Sequence, residues 1–169
     1  MMSETKKGSK ILWIITSVAA IAIIAVILVA TKKSAPADFE HLKFETISGK
    51  ELSLNDFAGE PMVVNLWATW CPPCRRELPL LSETAQEIPD INFVFADQRE
   101  DISKVKSYIS RSDLKIDNLV LDYSGKFGDK YGGNSLPMTI FIDKSGEIAA
   151  IHTGLINESQ LMANLDKIR

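Results

Sequence analysis

The chain has 169 residues, enough for one domain of ordinary size with a buried core. It carries 19 Lys and Arg against 22 Asp and Glu, for a formal charge of −3, and holds two cysteines. Two cysteines cannot build a disulfide framework, and one Cys pair with two distant histidines, His41 and His152, does not make a four-ligand zinc site.

The apolar residues are unevenly placed. Residues 11–30 are almost continuously apolar, interrupted only by Thr16 and Ser17. Twenty helical residues rise about 30 Å, the thickness of a bilayer core. The run exceeds the apolar core of a secretory signal, and the A-x-A-like Ala35-Pro36-Ala37 is set off from it by Lys32 and Lys33. A retained single-pass transmembrane anchor is therefore expected. Lys6, Lys7 and Lys10 before the run, against two lysines after it, place residues 1–10 in the cytoplasm and the domain after the anchor outside the cell membrane. Residues 31–38 form a polar linker, and 39–169 the folded domain. Setting aside the five lysines and one glutamate of the first 37 residues leaves 14 Lys and Arg against 21 Asp and Glu, a charge of −7. That surface argues against nucleic acid as a partner.

Leu42, Phe44 and Thr46 alternate on one face of Phe39 to Thr46, Ser48-Gly49-Lys50 reads as a turn, and Leu52 and Leu54 resume the alternation. These predict a β-hairpin. Asn55 to Gly59 reads as a single helical turn. Met62 to Trp67 is apolar on both faces except at Asn65, as suits a strand buried between helices. Pro72 to Ile88 follows as a helix with Leu78, Leu81, Ala85 and Ile88 facing the core and Pro79 expected to kink it. Ile91 to Ala96 is a second apolar strand, and Asp97 to Glu100 the loop after it. Ile102, Val105, Tyr108 and Ile109 mark a helix started by Asp101 or Ser103. Leu119 to Leu121 is a short strand, and Lys126 to Tyr131 a short helix ended by Gly132-Gly133. Met138 to Ile142 and Ile148 to Thr153 are strands joined by a turn with Gly146. Asn157, with Gln160 three residues on, caps a last helix through Leu161, Leu165 and Ile168. Alternating strands and helices imply an α/β protein with a mixed sheet.

The two cysteines lie in Trp67-Ala68-Thr69-Trp70-Cys71-Pro72-Pro73-Cys74, where the buried strand hands over to the helix. A C-x-x-C pair at such a joint reads as redox-active. Cys71, at the helix N-terminus, is the candidate nucleophile, because orphan N–H groups favour a thiolate there. Cys74, one turn inside, is the candidate resolving residue. With Cys71 as N-cap, its sulfur would accept from the N–H groups of residues 73 and 74, and Pro73 has none. A less stabilised thiolate means a more reducing pair. Trp67 reads as core, Trp70 as a wall beside Cys71, and His152 as structural.

Val64 to Cys74, with Pro79 five residues after the second cysteine, Ser135-Leu136-Pro137-Met138-Thr139 and Phe141 to Gly146, resemble the TlpA/ResA-like thiol-disulfide oxidoreductases of the thioredoxin fold and redoxin group. The resemblance covers about residues 39–169. It implies a thioredoxin-like mixed sheet flanked by helices, with an added N-terminal hairpin, and a Cys71–Cys74 redox disulfide without cofactor or metal. It implies a cis bond before Pro137, with Trp70, Leu136 and Pro137 contacting substrate. It also implies partners: protein disulfides such as apo-cytochrome c, as in cytochrome c biogenesis, and a membrane thiol as electron donor. Where thioredoxin has a buried acid, this chain has Asn65; the resemblance offers Glu77, one turn after Cys74, as the proton-transfer group. Two other readings stay open. One is a copper-binding protein using both cysteines and His152. The other is a redoxin-type peroxidase.

Overall fold

The computed structural model describes residues 42–132 and 135–169. The apolar run 11–30, the linker, the start of the first expected strand, His41 and Gly133 lie outside the described residues. Among the described residues no helix is long and apolar enough to cross a membrane.

Among the described residues seven strands form one sheet: β1 (Lys43–Thr46), β2 (Glu51–Ser53), β3 (Met62–Trp67), β4 (Asn92–Gln98), β5 (Asn118–Asp122), β6 (Met138–Ile142) and β7 (Ile148–Thr153). Their order is β2-β1-β5-β4-β3-β6-β7. The three central strands β5, β4 and β3 run parallel, and β1, β6 and β7 join antiparallel on either side. The helices are α1 (Pro72–Glu87), α2 (Ile102–Ile109), α3 (Lys126–Tyr131) and α4 (Glu158–Leu165).

All six residues of β3 are buried, because it is covered on both faces. Side-chain alternation sends Val63, Asn65 and Trp67 to one face, where Leu78 and Leu81 of α1, Val105 of α2 and Leu161 and Leu165 of α4 pack. Met62, Val64 and Leu66 point to the other, against Phe127 of α3, Phe44 of β1 and Leu54. Phe127 closes that second layer, its ring tilted against Tyr131 at 4.9 Å and edge-on to Phe44 at 6.0 Å.

Several boundaries differ from the sequence expectation, through tertiary pairing at one of them and local capping at another. Asp97 and Gln98, expected in a loop, are strand residues. Trp67 flanks Asp97 on one side, while Leu121 and Asp122 flank Asp97 and Gln98 on the other, which satisfies their backbones despite polar side chains. Leu54, expected to continue β2, instead opens a 3-10 turn (Leu54–Phe57). Ser53 caps it, accepting from Asn55 N and donating its own N–H to Asp56 at 2.9 Å. α1 runs through Pro79 as one helix. α4 begins with the Asn157–Gln160 capping box but ends at Leu165; Ile168 reaches the core from the following turn and is fully buried.

Chain direction sets where chemistry collects. Parallel strands end together, so the loops after β3, β4 and β5 meet at one end of the sheet, where open α/β sheets form their sites. Cys71 follows β3, Glu100 follows β4, and Asp122 closes β5. Asp122 accepts from the N–H groups of Phe127 at 2.9 Å and Lys126 at 3.1 Å, so it anchors the start of α3.

Candidate active site

Trp67 ends β3, and the chain turns through Ala68, Thr69 and Trp70 before α1 starts. Cys71 is the N-cap of that helix, and the Cys74 N–H donates to its sulfur at 3.3 Å. Prolines at the first two helical positions fit there because the first N–H groups have no intrahelical acceptor. The second of them, Pro73, leaves Cys74 as the single backbone donor to the sulfur. Cys71 and Cys74 are joined as a disulfide, with Cα atoms 5.3 Å apart. Cys74 is fully buried. Cys71 is only 3% exposed, less than its place at the helix end suggests, and the next-door Trp70 is 66% exposed.

Glu77 lies one turn beyond Cys74 and is buried, not on the solvent face of the helix. Its Oε1 accepts from Asn65 Nδ2 at 2.8 Å, and its Oε2 from Ile156 N at 2.9 Å. The same Asn65 amide donates to Thr139 Oγ1 at 3.1 Å, across the β3–β6 pair that sets Asn65 beside Thr139. One carboxyl group thus ties α1 to β3, β6 and the segment before α4. Burial pushes the Glu77 carboxyl above the ordinary carboxylate range, while the Ile156 N–H and Asn65 amide hold it back. Glu77→Ala leaves the Ile156 N–H and one Asn65 amide hydrogen buried without an acceptor, while the other still goes to Thr139. We expect it to lose about 2 kcal/mol in urea unfolding, with Glu77→Gln, whose one oxygen serves only one of the two donors, losing about half of that. Equal losses in both would show that the charge, not the acceptor, matters.

The Leu136–Pro137 bond is cis, and Pro137 O accepts from Gly154 N at 2.8 Å. Leu136, half-buried, packs where the two core layers meet. The segment Gly154–Ile156 therefore touches both Pro137 and Glu77, and it carries Leu155, 46% exposed. His152 is directed to the Leu155 carbonyl at 3.3 Å. Among the described residues no cluster of His, Cys, Asp and Glu could hold a metal ion.

A buried acidic pair, Asp97 and Glu100, lies under the loop before Cys71. Reading the sequence assigned it no role. Glu100 Oε2 accepts from Thr69 N at 2.5 Å and Oε1 from Thr69 Oγ1 at 2.7 Å, so it clamps the turn two residues before Cys71. Arg99, with φ of 62°, turns the chain out of β4 to aim Glu100 there. Neither oxygen of Asp97 makes a hydrogen bond of good geometry. Burial pushes its carboxyl up to about 8, the neighbouring Glu100 carboxyl adds to the rise, and the Glu100 N–H opposes it. The available signal was positional, since both acids follow the end of a parallel strand.

Residues 32–151 match the AhpC/TSA family. The thioredoxin-like protein YneN of Bacillus subtilis is 33% identical over 128 residues, 72% of this chain and 73% of that one. The thiol-disulfide oxidoreductase ResA of Bacillus thuringiensis subsp. konkukian is 32% identical over 124 residues, 72% and 71% of the two chains. Among solved structures, the pneumococcal exposed lipoprotein thioredoxin Etrx1 of Streptococcus pneumoniae superposes with a TM-score of 0.68 at 26% identity. It covers 75% of this chain and 98% of its own.

Proposed function

The chain belongs to the AhpC/TSA family and is a ResA-like thiol-disulfide oxidoreductase of thioredoxin-like fold, and on that premise we propose that it is a membrane-anchored reductant of protein disulfides outside the cytoplasm. The observation that carries this reading is the Cys71–Cys74 disulfide at the start of α1, with the buried Glu77 carboxyl one turn further on.

The reaction runs as two exchanges. The Cys71 thiolate attacks one sulfur of the partner disulfide, forming a Cys71–partner bond and releasing the partner's other sulfur as a thiolate. The Cys74 thiolate then attacks Cys71 Sγ, closes the disulfide and frees the second partner thiol. Two electrons pass to the partner, and the Cys71–Cys74 pair is oxidised. Glu77 takes the Cys74 proton, because a carboxylate whose affinity for protons is raised by burial is the stronger base. Trp70, Leu136 and Pro137 form the surface on which the partner lies, and the half-exposed Leu155 extends it.

The anchor over residues 11–30 keeps residues 39–169 outside the membrane, where exported thiol proteins pass. The partner we favour is apo-cytochrome c, as in cytochrome c biogenesis, with a membrane thiol re-reducing the pair. The test mixes reduced protein with disulfide-bonded apo-cytochrome c. Expected is one partner disulfide reduced for each Cys71–Cys74 pair oxidised, measured by alkylation and mass spectrometry. A pair that stays reduced while dithiothreitol reduces the same partner would sink the assignment.

The single backbone donor to Cys71 bears on the direction of electron flow. Pro73→Ala restores a second N–H at the helix start and so stabilises the thiolate form. We expect the reduction potential to rise by tens of millivolts, taking about 30 mV per 1.4 kcal/mol. Equilibration with a glutathione buffer reads it; an unchanged potential would mean that Pro73 does not set the poise.

A further inference from the structure

Beside the active-site loop lies an open groove of about 470 Å³ running from Thr69 and Arg75 along α2. Ser103, Ser107 and Arg111 line it at four-residue spacing, with Lys104 and Tyr108 alongside, as one face of a helix continued by a turn requires. Three cations, Arg75, Lys104 and Arg111, therefore converge with hydroxyl groups, and no carboxylate lines the groove. Among the described residues no carboxylate stands within ion-pair distance of any of the three. Asp101 feels the charge of Lys104, but its carboxylate is turned to the N–H of Ser103 at 2.8 Å as the cap of α2. The floor is rigid, since Trp67 packs on Tyr108 at 5.6 Å and Glu100 holds Thr69.

This concentration of positive charge stands on a domain whose formal charge is −7 over residues 38–169. Unpaired cations on such a surface repay their mutual repulsion only when an anion arrives. We propose that the groove docks an acidic stretch of the partner protein beside its disulfide, so that the site prefers disulfides flanked by Asp and Glu. The proposal rests on the oxidoreductase reading and names its substrate class. The shape favours a chain segment over a single small anion. α2, with eight residues, is about 12 Å long, the length of three or four extended residues. Arg75 follows Cys74 directly and Thr69 precedes Cys71 by two residues, so a segment in the groove is continuous with the disulfide.

Three synthetic peptides with the same internal disulfide, flanked by Asp/Glu, by Gln/Ser or by Lys, separate the outcomes. Their second-order rates with the reduced full-length chain are measured by stopped-flow at low and high salt. Expected is a roughly ten-fold preference for the acidic over the neutral peptide at 50 mM salt, falling to about two-fold at 500 mM as screening takes hold. Lys104→Gln/Arg111→Gln is expected to bring the acidic-to-neutral ratio near one, with its thermal midpoint showing that it is folded. Equal rates for the three peptides, or a preference that survives in the double variant, overturn the groove alone. Reaction with none of them overturns the oxidoreductase reading and the groove with it. Oxidised glutathione consumed as fast as the acidic peptide, with the same dependence on Lys104 and Arg111, overturns a protein segment as the occupant.

Discussion

Cys74→Ser is expected to hold its partner as a stable mixed disulfide on Cys71, while Cys71→Ser falls to the uncatalysed rate of exchange and traps nothing. The asymmetry comes from the helix start. Cys71 is the N-cap, its sulfur accepts the Cys74 N–H at 3.3 Å, and it adjoins the exposed Trp70. That position both favours a thiolate and borders the surface a partner reaches. Cys74 is fully buried inside the first turn, so its sulfur meets Cys71 but no partner. Without a thiol at 74 the second exchange has no nucleophile, and the intermediate accumulates. A non-reducing gel shows it, dithiothreitol releases it, and mass spectrometry names the partner. A trap formed on Cys74 in the Cys71→Ser protein would reverse the assignment.

Asp97→Asn is expected to stabilise the oxidised protein by about 3 kcal/mol at pH 9 and by almost nothing near pH 4. Asp97 sits between β3 and β5 with no measurable exposure. Its carboxyl is pushed from 3.8 up to about 8 by burial and by Glu100 beside it. The folded state therefore keeps a proton that the unfolded chain gives up. Stability from this group is complete below the ordinary value of 3.8 and is lost progressively as pH rises through about 8. Each pH unit carries about 1.36 kcal/mol, which sets a ceiling near 5–6 kcal/mol. Asn also has to find partners for its own amide in an apolar place, which brings the expected gain down to about 3 kcal/mol. Urea unfolding of both proteins from pH 4 to 9 tests it. Parallel curves would mean that Asp97 is ionised in the folded protein at neutral pH.

These two sites differ in how they could be read. The cysteine site is local. Eight consecutive residues from Trp67 to Cys74 place two thiols across a strand end and a helix start, and Pro73 announces its missing N–H within the same stretch. The capping box at Asn157 and Gln160 and the glycine turn at Gly146, with φ of 80°, are local in the same sense. Each depends on backbone geometry within a few residues, which side-chain chemistry dictates directly. The acid site is not local. Asp97 looked like a loop residue because Asp is a poor strand former, and it became a strand residue because neighbours on both sides supplied backbone partners.

The network around Glu77 marks the same divide. Spacing put Glu77 on the face of Cys74, but its burial depends on Asn65, 12 residues earlier, and on the N–H of Ile156, 79 residues later. Thr139 joins only because β6 pairs with β3 in one register. The sequence by itself determined the pair of cysteines, the helix that starts at one of them, and the strand and helix periods of most elements, because these follow from short-range sterics and hydrogen bonding. Tertiary structure alone decided that β1 and β2 join the sheet through β5, that Asn65 serves as a donor to Glu77, and that Glu100 and Asp97 sit under the active-site loop. Those outcomes rest on which distant backbones meet, and long-range pairing is set by how the whole sheet closes over its two cores, a sum that no short stretch of sequence contains.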